Sequence, residues 1–257
     1  MSAFFTQKQG ELVPAPHARG PWSSDMLHGR LLGGLAARAI ERRYAQPGLH
    51  FARLTVDLFR NSPMVPVTVE TSLVRSGRRI LVADAIIATD QGVIGRASAV
   101  LLRQGEQPDG EQTFVTPAWD APPPDGPPAD ARAAWTPPFD LWRVTEWGEP
   151  GAGRVWLRET YPLVDEEPVT PFVRAALAAD FASPLSNAGV EGLRFINADY
   201  TLTLARLPAG EVIGVETTGH LSADGVATGQ VTMHDRGGPF GFCVVTAVAN
   251  TMGIGGR

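Results

Sequence analysis

A single cysteine in 257 residues leaves no internal disulfide, and Cys243 lies in the apolar run GFCVVTAVA, where a buried thiol is expected rather than a reactive one. The histidines His17, His28, His50, His220 and His234 show no metal-ligand spacing, so with one cysteine no zinc or other metal site is expected. Positive charge is scarce too: 22 Lys and Arg stand against 27 Asp and Glu, and a net charge of −5 offers no overall attraction to nucleic acid or an anionic membrane. No apolar run approaches the roughly 18–20 residues of a membrane span, and no charged-then-apolar leader opens the sequence, so a cytoplasmic protein is expected. GxSxG is missing, which disfavours a serine nucleophile, and neither a strand–GxGxxG–helix nor a GxxxxGK[ST] pattern occurs to cradle a phosphate. No organic cofactor is expected.

What the chain does have is a globular composition, 44% hydrophobic and 19% charged, with a clear order of segments. HGRLLGGLAARAIERRY, His28 to Tyr44, is a helix rich in small residues; glycines cost about 1 kcal/mol each inside a helix, so Gly33 and Gly34 imply something packed closely against it. From Phe51 to Arg103 alternating apolar residues and turn signals mark four antiparallel strands. Residues 105–138, with Ala121-Pro122-Pro123-Pro124, have the composition of a linker. The order then repeats, with a strand near Arg154–Tyr161, a helix from Thr170 to Asp180, a turn through FASPLSNAGVEG and further strands to Ala249. Adding 146 to residues 51–100 places Arg60 on Arg206, Val69-Glu70-Thr71 on Val215-Glu216-Thr217, Gly92 on Gly238 and Gly95 on Gly241. The expected fold is therefore α+β and duplicated: an N-terminal unit over 1–104, a linker over 105–138 and a C-terminal unit over 139–257.

Thr170 to Arg206 holds the densest set of unusual polar residues. Thr170 suits a helix cap and Pro171 the first helical position. Asp180 ends that helix, on the unfavourable side of its dipole, and Asn197 and Asp199 interrupt a β-prone run. The chain resembles acyl-CoA thioesterases of the double-hotdog type in HGRLLGGLAARAIERR, LTVDLFRNSP and VRSGRRILVADA of the first half, and in LAADFASPL, FINADYTLTLAR and the Asp235–Gly238 turn of the second. That resemblance implies two tandem hotdogs, each a helix wrapped by an antiparallel sheet. It implies hydrolysis of an acyl-CoA substrate without metal or cofactor, and homo-oligomerisation through the sheets. It assigns the catalytic carboxylate to Asp180, a second polar group to Asn197, and a third, commonly Gln, to the position aligned here with Thr246.

Thioester hydrolysis needs an activated water and donors for the developing oxyanion. Asp180 would take the water's proton, Asn197 and Thr246 would orient the water, and the N–H groups of Gly29 and Arg30 at a helix start would polarise the carbonyl. His28 is placed as a lining residue. Under the 146 offset Phe51 replaces Asn197 and Val100 replaces Thr246, so the first half would receive an acyl chain instead of doing chemistry. Arg75, Arg78 and Arg79 around the RSGRR turn are candidate phosphate contacts, although such turns are commonly solvated tips. The bland alternative for Asp180 is a carboxylate satisfied by turn N–H groups from Ser183 to Ala188. Two other functions compete: an acyl-CoA or acyl-carrier binding protein without activity, and a hydratase-like enzyme. The second is suggested by Asp180-Phe181-Ala182-Ser183-Pro184-Leu185, but that motif would want His where Ser186 stands.

Overall fold

The computed structural model describes residues 2–126, 128, 138–146 and 148–254, with side chains described to residue 250. A small hairpin of β1 (Phe5–Lys8) and β2 (Glu11–Pro14) precedes α1 (Gly29–Tyr44), β3 (Leu49–Leu58), β4 (Thr68–Ser76), β5 (Ile80–Thr89) and β6 (Gly92–Arg103). Beyond the Pro-rich segment come β7 (Phe139–Arg143), β8 (Arg154–Glu159), α2 (Pro171–Ala179), α3 (Ala182–Asn187) and β9 (Ala188–Gly189). The chain ends with β10 (Gly192–Leu204), β11 (Val212–Ala223), β12 (Val226–Asp235) and β13 (Gly238–Ile254). The stretch expected to be a turn after Asp180 is thus largely the short helix α3, a departure from what its Ser, Pro, Asn and Gly content suggested.

One sheet runs through both halves in the order β4-β5-β6-β3-β10-β13-β12-β11-β8-β7, with β9 alongside β10, and its strand pairs are antiparallel. The duplication is legible in its register. At the centre, where β3 meets β10, Thr55 faces Thr201, 146 residues on, and their hydroxyls lie 3.1 Å apart. Either side of this pair, Arg53 faces Thr203 and Asp57 faces Asp199, and a shift of 146 exchanges the two pairs. A pseudo-twofold axis therefore passes between the two threonines. The same shift carries β5 onto β12 end to end, and the first residue of β6 onto the first of β13. The fold is a double hotdog: two helix-on-sheet units sharing one continuous sheet.

The helices lie antiparallel on the inner face. Thr170 caps α2 by accepting from the Val173 N–H and donates to Glu41 Oε2 near the end of α1, at 2.5 Å. At the other end, Asp180 meets Gly29 at the start of α1. The helical glycines let neighbouring elements approach α1 closely. A Cβ on Gly33 would lie 1.8 Å from the Tyr200 hydroxyl, and one on Gly34 would lie 2.5 Å from a Leu177 methyl. The last carbonyls of α2, which have no partner within the helix, are taken up by side chains from the sheet. Tyr200 Oη donates to Ala176 O at 2.9 Å and Cys243 Sγ to Ala179 O at 3.4 Å. Burial holds the Cys243 thiol well above its ordinary pKa, in keeping with a structural role.

The described part of the Pro-rich segment, residues 105–126, has no helix or strand but is anchored on the opposite face of the sheet. Trp119 stacks on His234 at 4.8 Å and leans on Trp156 at 5.0 Å. Gly214 provides the room, since a Cβ there would lie 2.5 Å from the Trp119 ring.

Candidate active site

Asp180 caps the C-terminus of α2, whose own dipole disfavours it, but its carboxylate faces the first turn of α1. It is 7% exposed. Asn197 Nδ2 donates to its Oδ1 at 2.8 Å, and the backbone N–H of Arg30, at the first turn of α1, favours its charged form. His28 Nδ1 lies 3.9 Å from Oδ2. A Cβ on Gly29 would stand 3.9 Å from both carboxylate oxygens, so glycine leaves the mouth of α1 open toward Asp180. The positive end of α1 compensates for the negative end of α2. Burial nevertheless dominates and raises the Asp180 pKa, with Asn197 and Arg30 opposing it. Burial, and then the Arg30 charge, hold His28 well below its ordinary range, so it is neutral at pH 7. Among the described residues the carboxylate's hydrogen bond comes from Asn197, while the amide of Ser183 donates to the Asp180 backbone oxygen and not to the carboxylate.

A β-bulge sets Asn197 in place. Along β10, Tyr200, Leu202 and Leu204 face inward, and strict alternation would send Asn197 outward. The register shifts between Asn197 and Asp199: Asn197 pairs with Ala247 and Asp199 with Thr246. Ala198 is the extra residue, so Asn197 turns toward Asp180. The first half carries the same bulge 146 residues earlier, where Phe51 pairs with Leu101 and Arg53 with Val100.

The strand faces correct two of the sequence assignments. Thr246 is exposed on the outer face beside Phe242, Val244 and Val248, and its backbone N–H donates to Asp199 Oδ1 at 2.8 Å. It is not in the site. Val100, its counterpart, likewise faces outward and pairs with Arg53 and Val82. A one-residue slip reverses every side chain, and the inward positions are Ala247 and Leu101. The third polar role therefore falls on a methyl group. Phe51 does face inward, but its ring stacks on Phe172 at 4.1 Å and both are buried, so it fills the first-half position with core.

Arg75, Arg78 and Arg79 are exposed, as a turn tip would be. Arg79 O accepts from the Arg103 N–H, and the next backbone contact from there is Gln104 N–H to Gly48 O, just past the end of α1. The turn therefore sits at the opposite end of the 16-residue helix from Asp180, about 24 Å along its axis. The structure does not gather these arginines with the carboxylate. What the sequence did not signal is the wall on the other side: Phe139 packs edge-on to His28 at 6.4 Å and to Phe181 at 6.0 Å, and the Arg30 guanidinium lies over it at 4.6 Å. Phe139 comes from β7, beyond the linker, and nothing in its local sequence ties it to His28. Among the described residues, no cluster of His, Cys, Asp and Glu could hold a metal ion, and no helix is long and apolar enough to cross a membrane.

If Asn197 holds the carboxylate as the geometry indicates, Asn197→Ala should lower kcat at least tenfold, whereas Thr246→Val should leave steady-state kinetics within about twofold of wild type. An equal loss in both would put Thr246 back in the site.

A family model described as acyl-CoA thioesterase C-terminal domain matches residues 117–248, and one described as acyl-CoA thioesterase N-terminal domain matches residues 18–102. No curated protein matches the sequence. Among solved structures, the chain is similar to a hot dog fold protein of unknown function from Alicyclobacillus acidocaldarius, with TM-score 0.72, 14% identity, and 96% of each chain covered. It is also similar to the tesB protein of Mycobacterium avium subsp. paratuberculosis, with TM-score 0.67, 15% identity, and 94% of this chain and 93% of that one covered. A third is an acyl-CoA thioesterase II from Mycobacterium marinum, with TM-score 0.64, 17% identity, and 86% and 88% covered. At these identities the structural likeness speaks to the fold.

Proposed function

The chain belongs to the acyl-CoA thioesterase family and is a thioester hydrolase, and from that premise we propose that it cleaves an acyl-CoA by Asp180-assisted attack of water. The observation that carries this reading is a buried carboxylate held by Asn197 Nδ2 and facing the first turn of α1. A carboxylate offers about four lone-pair sites. One accepts from Asn197, which leaves capacity to accept a hydrogen bond from water. In the step, the water oxygen bonds to the thioester carbon as Asp180 takes its proton; the C–S bond then breaks, and the proton passes to the departing CoA sulfur. The products are a free acid and CoA thiol. Since Arg30 N–H already serves Asp180, its part is to orient the base, and the amide end of α1 also provides a positive field for the developing oxyanion. The chemistry is confined to one of the two pseudo-equivalent positions, because Phe51 and Leu101 occupy the other.

Release of thiol from a panel of acyl-CoAs tests the reading. Tight binding without release would mean a binding protein. Loss of enoyl-CoA absorbance without release would mean a hydratase, a reading that gains nothing from Ser186, whose hydroxyl donates to Ala182 O within α3.

The raised pKa of Asp180 gives a pH prediction. The base works as a carboxylate, so kcat/KM should climb with pH through an acid limb centred above the ordinary range near 4. Asn197 lowers that pKa, so Asn197→Ala should move the limb further up. A pH–rate profile in which Asn197→Ala leaves the limb where it was, or shifts it down, would contradict this coupling.

A further inference from the structure

Arg30 does more than donate an amide. Its side chain is among the few charged ones the fold buries, and it is 3% exposed. Arg30 Nη1 donates to Glu159 Oε1 at 2.6 Å, and the guanidinium lies over Phe139 at 4.6 Å and near Phe4 at 5.2 Å. This ion pair is incomplete. Among the described residues, Arg30 Nε and Nη2 and Glu159 Oε2 are all buried and have no hydrogen-bond partner. Leaving a buried polar atom unpaired is costly, and more so where it is charged. Two unpaired donors on Arg30 and one unpaired acceptor on the Glu159 carboxylate it already pairs with are therefore an expensive arrangement if nothing ever binds them.

Glu159 also forms part of the wall of a cavity of about 450 Å³, with Asp140, Arg158, Thr160, Tyr161 and Glu211. Arg158 is taken by Asp140, at 2.8 Å, and Thr160 donates to Pro138 O. Acidic groups outnumber basic ones around the opening, so a second carboxylate would be repelled there. The ion pair itself is neutral overall. What fits an adjacent donor and acceptor is a neutral group that both accepts and donates.

We propose that Arg30 and Glu159 form a polar subsite that recognises a hydroxyl or amide group of the thioester substrate, its oxygen accepting from Arg30 and its O–H or N–H donating to Glu159 Oε2. The inference rests on the thioesterase reading for the identity of the substrate, and it assigns the pair a specificity role distinct from that of Asp180. Such a group can come from a hydroxyl on the acyl chain or from an amide of the pantetheine arm of CoA. The two sources predict different discriminations.

The test compares kcat/KM within two sets of substrates. One pairs plain acyl-CoAs with partners hydroxylated at successive carbons; the other pairs CoA thioesters with mercaptoethanol thioesters of the same acids, which lack the amides. Each set is run on wild type and on the double variant Arg30→Met/Glu159→Leu, because removing both partners of a buried pair is far better tolerated than removing one. Glu159→Gln, which keeps the size, serves as the second variant should the double variant fold poorly. Wild type should favour the hydrogen-bonding member of one set by roughly tenfold to a hundredfold, as hydrogen bonds to charged groups do. That ratio should fall several-fold or more in the variants. Equal ratios in wild type and variants for both sets would overturn the proposal. Calorimetric binding of the same pairs to Asp180→Asn reads recognition without turnover. Absent thiol release would then count against the hydrolase reading alone, and equal affinities within both sets against this one.

Discussion

Replacing Asp180 by Asn should leave a folded protein that hydrolyses acyl-CoAs about 10²–10⁴-fold more slowly, the range over which a positioned general base contributes. Asparagine keeps the size and can still accept from Asn197 Nδ2, so the hydrogen bond at 2.8 Å need not be lost. What disappears is the group able to take a proton, together with the acid limb of the pH–rate profile. The fall should appear in kcat and kcat/KM alike, because the proton moves only in the transition state. Circular dichroism and the urea midpoint should stay close to wild type, which separates this outcome from damage to the fold. A folded Asp180→Asn variant with wild-type turnover would remove the carboxylate from the mechanism and leave only a helix-linking role.

The reason Asp180 is so placed could be read from the sequence only halfway. A carboxylate at the end of an apolar helix conflicts with local electrostatics, and such conflicts tend to sit where function demands them. The sequence thus marked the residue, but its compensation comes from the amide end of α1, 150 residues earlier, which no local pattern connects to it. The long-range order was more legible. The strands of the second half fall where the 146 shift puts them because turn glycines and strand phases survive duplication, and the threonine pair at the axis shows how literally the register is kept. Thr246 comes from the resemblance and Val100 from it by the 146 shift, so neither rests on strand phase. GFCVVTAVA is apolar on both faces, so its alternation does not mark which residues point inward; the fold turns Cys243, Val245 and Ala247 in and Thr246 out. The helix α3 was missed because its Ser, Pro and Asn favour turns in isolation, whereas packing against β10, β11 and β12 decides the matter.

Gly33→Ala should be strongly destabilising although it lies outside the site. The added methyl would lie 1.8 Å from Tyr200 Oη and 2.8 Å from Cζ, far inside contact distance, in a helix with Tyr200 fully buried on the other side. Alanine would improve helix propensity by about 1 kcal/mol. Against this, forced repacking costs about 1–3 kcal/mol or more, and pushing the hydroxyl off Ala176 O leaves buried groups unpaired for about another 1–3 kcal/mol. A net loss of about 1–5 kcal/mol is a large share of the roughly 5–15 kcal/mol that holds a typical domain together. Tyr200→Phe removes the nearest clashing atom, so the double variant should be less destabilised than the sum of the single ones, by about 1 kcal/mol or more, and urea midpoints with m-values checked for constancy would measure this coupling. Simple additivity would mean that Tyr200 swings aside freely and does not pin α2. The pinning also carries a functional consequence, since Ala176 is one turn before Asp180. Gly33→Ala that folds at low temperature should therefore lose activity per folded molecule, and Tyr200→Phe should restore part of it, because the tyrosine sets where the end of α2 delivers the carboxylate to the first turn of α1.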